Sequence, residues 1–333
     1  MANTTIRLVT RNYDILTPLL SGDVVPDGID LQLDRETAIG AFRTDEGFDA
    51  GEMSFSGYLR GLDAGDKSIV GLPIFIMRGF RQRCFFVKRG SDLASPRDLV
   101  GKRIGTNGWP DSGNTWSRSL LRAEGVDIAG IDWFVGPIDG VTDQTFGHQF
   151  SSAGLPDNVQ PVPEGESLVG MLVAGDLDAM MVPWPPRGFY EPDAAVVRLL
   201  PDYRSAEEEY ARRVGFCPGH HVIGVRASVI EEDPWIARNV FEAFEESRKL
   251  TEERRLVLAD TSPWLLADLE QTTEILGPDW QISGVEPNRA MIDTFCEELH
   301  AQGITNQRIA ADVVFAHFEE LKSHVPARSR KLL

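Results

Sequence analysis

The sequence predicts an α/β protein of two lobes, each a mostly parallel sheet flanked by helices, with a ligand cleft between the lobes. Three observations carry that expectation. At 333 residues the chain exceeds the roughly 250–300 at which a single core stops growing. Through its first third, short apolar runs alternate with helical patterns, and repeated strand–helix–strand units build parallel sheets. After one further strand, His221 to Val225, the pattern is almost wholly helical, as if the chain leaves one lobe and returns to finish it.

Each element has its own signal. Ile6-Leu8-Thr10 and Ile29-Leu31-Leu33 alternate as half-buried strands do. Gly47 to Leu59 reads as a strand that stops at small and polar residues and hands over to a helix through Tyr58, Leu59 and Leu62. Ser68 to Ile76 is a buried run broken at Pro73, and Cys84 to Val87 follows as another strand. Ser95-Pro96-Arg97-Asp98 places a cap before a proline that opens a helical turn. Lys102 to Thr106 is a strand, Thr115 to Glu124 a helix stopped by Gly125, and Ile131 to Val135 a strand. Gly136 to Gly165, which contains His148, is irregular; loops of that length carry function or motion. Ser167 to Leu172 reads as a helix and Asp178 to Val182 as a strand; helices then cover Pro234–Arg255, Pro263–Leu276, Asn288–Gln302 and Arg308–Leu321. Two crossings, near Arg89–Ser91 and Pro218–His221, assign residues 1–92 and 222–333 to lobe 1 and residues 93–221 to lobe 2.

Composition narrows the function. Hydrophobic residues make up 42% and charged residues 25%, an ordinary globular balance. The 51 acidic against 33 basic side chains give a net charge of −18, which argues against nucleic acid and anionic membrane surfaces as partners. An anionic small molecule must therefore be held by local positive features. The first residues lack a basic stretch leading into an apolar core, and no segment is long enough to span a bilayer. With Cys84, Cys217 and Cys296 odd in number and far apart, a cytoplasmic protein with reduced thiols is expected; self-association is left open. No phosphate loop, dinucleotide fingerprint or serine-hydrolase elbow occurs.

Four groups of residues carry candidate chemistry. Arg78, Arg81 and Arg83 crowd a turn between two expected strands; guanidinium binds carboxylate in bidentate fashion, and alternation turns Arg83 away from Arg78 and Arg81. Trp109 to Thr115 opens a helix after a strand, where exposed amides favour an anion; Ser112, Asn114, Thr115 and Arg118 are its polar groups, with Ser112 or Asn114 alternatively only capping the helix. Ser54 and Ser56 form a second helix start. Glu52 beside them is either a carboxylic acid of raised pKa, able to donate a proton, or a stabiliser of that start. His220 and His221 adjoin the second crossing, and histidine suits proton transfer near neutral pH.

Several segments together resemble the 4,5-dihydroxyphthalate decarboxylase family, which is built on the type II periplasmic-binding-protein fold. They are Glu52-Met53-Ser54, Pro73-Ile74-Phe75, Arg78-Gly79-Phe80-Arg81, Pro218-Gly219-His220-His221, Pro234 to Arg238 and Glu286-Pro287-Asn288-Arg289. Asp98 to Gly105 and Ala174 to Ala179 also match, but those patterns run through binding proteins generally and speak only to fold. Gly79 and Gln82-Arg83 depart from the family's arginine pair, as Trp184 departs from its surroundings, and these departures bear on the substrate. The resemblance implies cofactor-independent decarboxylation of a dihydroxylated aromatic dicarboxylate, with 4,5-dihydroxyphthalate leading, and a divalent metal kept open. It singles out His221 of the pair; His221 or Glu52 would be the proton donor, and Arg78, Arg81 and the Ser112–Thr115 helix start would hold carboxylate. The rival reading is a non-catalytic carboxylate binder of the transport-receptor or sensor type, which the same fold would serve.

Overall fold

The computed structural model describes residues 3–36, 39–140 and 155–325. Within them the chain folds as two compact units. The first holds residues up to Arg78, Val214–Glu297 and those from Thr305; the second holds Gly79–Arg213 and Glu298–Ile304. The chain up to Arg78 thus folds with most of the C-terminal helices. The changes of unit fall at Arg78/Gly79 and Arg213/Val214, ahead of the crossings expected near Arg89 and Pro218, and the return of 298–304 to the second unit had no sequence signal.

The first unit is built on a five-stranded sheet in the order β2-β1-β3-β11-β4, with β1 (Thr4–Thr10), β2 (Ile29–Arg35), β3 (Ala50–Ser54), β4 (Ile69–Arg78) and β11 (Gly219–Arg226). β1 runs parallel to β2 and β3, while β11 is antiparallel to β3 and β4. The second unit has a six-stranded sheet in the order β10-β5-β9-β6-β7-β8. Its strands are β5 (Phe85–Lys88), β6 (Arg103–Thr106), β7 (Asp132–Val135), β8 (Val159–Pro161), β9 (Ala179–Met181) and β10 (Val196–Arg198). β6 is parallel to β7 and β9, and β7 to β8, but β5 is antiparallel to β9 and β10. Both sheets are therefore mixed: the parallel strands follow the expected strand–helix–strand units, and β5 and β11 enter reversed. The strand Cys84 to Val87, read as part of lobe 1, belongs to the second unit's sheet.

Burial explains the first unit. Ile6, Leu8, Ile29, Ala50, Val70, Leu72, Ile223 and Val225 line the sheet, and the helix Trp235–Val257 covers them with Ile236, Val240, Phe241 and Phe244. Phe55 stacks on Phe295 at 5.0 Å and meets Phe75 edge-on at 5.2 Å. β4 is irregular where the sequence places Pro73. Its pairing with β11 passes from Ile223–Leu72 to His221–Met77, so residues 73–76 bulge opposite Val222. Proline has no N–H for the ladder, and such bulges re-aim neighbouring side chains. The second unit's cores gather Phe85, Ile104, Trp133 and Leu121 on one side and Phe86, Leu168, Leu172 and Met180 on the other. β8, β10 and the helix Tyr203–Val214 fill stretches with weak or no periodic signal. The expected helix over Arg308–Leu321 is broken at Phe315 into Ala311–Val314 and Ala316–His324. Residues 141–154, including His148, lie outside the described residues.

Gly71 shows how tightly this sheet is covered. A Cβ there would lie 2.4 Å from Cζ of Tyr58, whose hydroxyl accepts from the Gly71 amide and donates to the Val314 carbonyl. Gly71→Ala is expected to cost about 1–3 kcal/mol or more as overpacking, read as a lower urea midpoint; an unchanged midpoint would show that Tyr58 can step aside.

Candidate active site

Three adjacent strand ends of the first unit converge on one carboxylate. Glu52 is the third residue of β3. In the antiparallel register His221 of β11 sits opposite Ser54 and Ile223 opposite Glu52, so Glu52 and His221 are diagonal neighbours on one face. On the other flank β1 runs parallel to β3, and its end brings Thr10 and Arg11 alongside. The strand alternation that makes Glu52 face His221 also buries it, leaving 2% of the residue exposed.

The carboxylate is saturated with donors. Oε2 accepts from Thr10 Oγ1 at 2.9 Å and from the Arg11 amide at 2.8 Å. Oε1 accepts from Arg11 Nε at 3.2 Å and Nη2 at 3.1 Å, from the Tyr13 hydroxyl at 2.6 Å, and meets His221 Nδ1 at 2.5 Å. Arg11 Nη2 also donates to the Tyr13 oxygen and lies 2.9 Å from Met77 Sδ and from His221 Nδ1. Burial alone raises the pKa of such a carboxyl. The His221 hydrogen bond, the charges of His221 and Arg11, and the Tyr13 hydroxyl outweigh it and lower the pKa to about 2. The reading of Glu52 as an acid of raised pKa is thus corrected: it is held as an anion. Tyr13 moves the other way, its pKa raised by burial first and by the Glu52 charge second, so it is a neutral phenol that donates.

The other expected residues are used differently. Ser54 caps the helix Phe55–Asp63, accepting from the Gly57 amide, and Ser56 is buried in its first turn. Arg78 ends β4, where its guanidinium donates to the Cys217 and Ile282 carbonyls and, at 2.7 Å, to Asn288 Oδ1; burial lowers its pKa to about 10. The Asn288 of the Glu-Pro-Asn-Arg segment is therefore the arginine's partner within the first unit. His220 is buried, at 2% exposure.

In the second unit the helix Ser112–Ala123 is capped by Asp111, not by Ser112 or Asn114. Asp111 accepts from the Asn114 amide and, at 2.6 Å, from the Asn114 side chain, so the chain's own carboxylate occupies that part of the helix start. Thr115 Oγ1 donates to the Asp111 carbonyl. Arg81 lies flat on the first turn, its Nε donating to the Gly113 carbonyl at 3.0 Å; a Cβ at Gly113 would fall 1.6 Å from Arg81 Nη2, so glycine alone leaves room. Arg83 turns to Glu207 at 3.1 Å. Arg118 is fully buried against the Trp109 ring and donates to Gln302 Oε1 at 2.8 Å and the Trp109 carbonyl at 2.6 Å; burial lowers its pKa to about 10. Sequence reasoning missed Thr10, Arg11 and Tyr13. Their signal was available: Thr10-Arg11-Asn12-Tyr13 follows a strand at its carboxyl end, where open α/β sheets place their sites.

Comparison with known proteins gives two relatives. A 4,5-dihydroxyphthalate decarboxylase of Comamonas testosteroni is 32% identical over 328 residues, 95% of this chain and 97% of that one. A 4,5-dihydroxyphthalate decarboxylase of Pseudomonas putida is 30% identical over 218 residues, 63% of this chain and 83% of that one. No protein-family model matches the sequence. Among solved structures, the alkanesulfonate-binding protein SsuA from Xanthomonas axonopodis pv. citri bound to MOPS aligns with a TM-score of 0.51 at 13% identity, covering 94% of this chain and 98% of that one. That likeness shows the fold alone, the α/β fold of periplasmic binding proteins. Among the described residues no helix is long and apolar enough to cross a membrane.

The depressed Glu52 pKa has a consequence for stability. Its folded value, about 2, lies below the ordinary 4.5, so its contribution is complete above pH 4.5 and is lost as pH falls toward 2. The full contribution corresponds to about 3 kcal/mol, of which about 2 is gone by pH 3. Urea midpoints at pH 6 and pH 3 test this: the native protein loses more stability than Glu52→Gln over that interval, and equal losses would contradict a carboxylate held ionised.

Proposed function

The chain belongs to the 4,5-dihydroxyphthalate decarboxylase family, and from that premise we propose that it converts 4,5-dihydroxyphthalate to protocatechuate and CO₂ without an organic cofactor. The ring itself supplies the electron sink. A hydroxyl para to the departing carboxylate lets the ring carbon bearing that group accept a proton, the para oxygen carrying the resulting positive charge. The bond to the carboxylate then breaks, its electron pair returns to the ring, and CO₂ leaves. One proton is taken up and one CO₂ released.

In this reading His221 delivers the proton and Glu52 supports it. The observation that supports the assignment best is the 2.5 Å contact between His221 Nδ1 and a carboxylate whose pKa is depressed to about 2. A group ionised at neutral pH has no proton to give, whereas an imidazolium beside a fixed negative charge is stabilised and retains a second N–H, at Nε2, for transfer. Carboxylate binding by Arg81 is a separate part of the proposal, supported by a charged, nearly buried guanidinium at a helix start. A cytoplasmic setting belongs to it as well, supported by three buried cysteines that form no disulfide among the described residues.

The test is a turnover assay on 4,5-dihydroxyphthalate, with and without added divalent metal, following CO₂ and product mass. Tight binding of unaltered substrate with no CO₂ would overturn the enzyme reading. His221→Gln is expected to lower turnover by about two to four orders of magnitude with much of the binding kept. Native-like turnover in that variant would remove His221 from the chemistry. Arg81→Ala is expected to weaken substrate binding about ten- to a hundredfold, with the exposed Ser205→Ala as control; unchanged affinity would remove Arg81.

A further inference from the structure

Arg11 does more in this site than neutralise a buried acid. Three groups in mutual contact, Arg11 Nη2, Glu52 Oε1 and His221 Nδ1, admit two proton arrangements. In one, His221 Nδ1 carries a hydrogen and donates to the carboxylate. In the other, Glu52 is protonated and donates to a bare Nδ1, which also accepts from Arg11. The 2.9 Å approach of Arg11 Nη2 to Nδ1 is a hydrogen bond only if Nδ1 is bare; in the first arrangement the two Nη2 hydrogens go to Glu52 Oε1 and the Tyr13 oxygen instead. The carboxylate decides between them. Oε1 already accepts from Arg11 Nε, Arg11 Nη2 and the Tyr13 hydroxyl, and Oε2 from Thr10 and the Arg11 amide. Protonating Oε1 would direct a hydrogen at Nδ1 but remove the negative charge, and part of the acceptor capacity, on which these donors have gathered. Removing Arg11 reverses the balance, because three of those donors belong to it and, among the described residues, its guanidinium is the positive charge in contact with Glu52 besides His221.

We propose that Arg11 is a positioning residue for the proton transfer: it holds Glu52 as a carboxylate, Glu52 holds the Nδ1 hydrogen of His221, and Nε2 is thereby fixed as the atom that hands its proton to the substrate. The inference rests on the decarboxylase reading for its last clause only. Thr10 ends β1 and Arg11 and Tyr13 follow it, Glu52 is on β3 and His221 on β11, and β4 adds Met77 as an uncharged neighbour of Arg11. Tyr13 supports the same arrangement as a phenol that gives its hydrogen to Oε1.

Two readouts test it, one of them independent of turnover. Ring nitrogen-15 spectra of histidine-labelled protein, with His221 assigned by its loss in His221→Gln, report which nitrogen holds the proton when the ring is neutral. The native protein is expected to show Nδ1 protonated. Arg11→Gln is expected to shift the neutral ring toward Nε2 protonation, and Arg11→Lys, which keeps the charge, to restore the native pattern in part. On turnover, Arg11→Gln is expected to lower kcat about ten- to a hundredfold with little change in KM. A native ring protonated at Nε2 overturns the inference, even if Arg11→Gln fails to fold. So does an Arg11→Gln protein with the native spectrum, or one whose only defect is a raised KM, which would make Arg11 a substrate contact. Absence of native turnover on 4,5-dihydroxyphthalate would instead defeat the decarboxylase reading and leave the spectra to judge the arrangement.

Discussion

One buried carboxylate governs the chemistry of the first unit. An anion with 1% of its side chain exposed is costly unless its charge is matched and its lone pairs are filled. Here both conditions are met by residues from the two strand ends that flank β3, so the register of β1, β3 and β11 is tied to the site. Shifting β11 by one residue against β3 would turn His221 to the opposite face of the sheet and leave Glu52 without its imidazole. The bulge in β4 at Pro73 absorbs the irregularity on β11's other edge, so that the β3 side stays regular through Ser54 and His221.

The buried arginines follow a different rule. Arg118 is fully buried and Arg78 partly so; among the described residues neither pairs with a carboxylate, and each donates to carbonyl and amide oxygens of its own unit. Burial disfavours the charged form and lowers the pKa of each to about 10, which still leaves both arginines charged at neutral pH. Such residues tie segments distant in sequence: Arg78 joins β4 to residues 217, 282 and 288, and Arg118 joins the helix Ser112–Ala123 to Gln302. Arg81 differs in lying against a glycine that only a missing side chain makes approachable.

Much of the fold was legible because its strands and long helices carry strong periods. The alternation from Thr5 to Leu8, the capping pattern at Ser95–Asp98 and the stop at Gly125 each report a local rule that tertiary context leaves intact, whereas Val9 and Thr10 are both buried and end that alternation. What failed was non-local. The sequence around Cys84 to Val87 reads as a strand but does not say which sheet it joins, and three-residue strands such as β8 and β10 are too short to show a period. Glu52 and His221 were both legible as candidates, Glu52 from its strand-to-helix junction and His221 through the family pattern. Their pairing was not, since register between residues 169 positions apart is set by the whole sheet. The pKa direction of Glu52 depended on Arg11 and Tyr13, which the sequence separates from it by about 40 residues. Likewise, Asp111 rather than its neighbours caps the second unit's helix because the backbone turns one residue earlier than the polar pattern suggests.

In the proposed reaction the ring carbon that loses its carboxylate is the site of proton transfer, and the proton is held beforehand by an imidazole in exchange with solvent. Turnover of 4,5-dihydroxyphthalate in deuterium oxide, with the product analysed by proton spectra and mass, tests that claim most directly. The account predicts one deuterium per product, at the vacated carbon and at no other ring position. Product carrying ordinary hydrogen at that carbon, or deuterium spread over other ring positions, would contradict it.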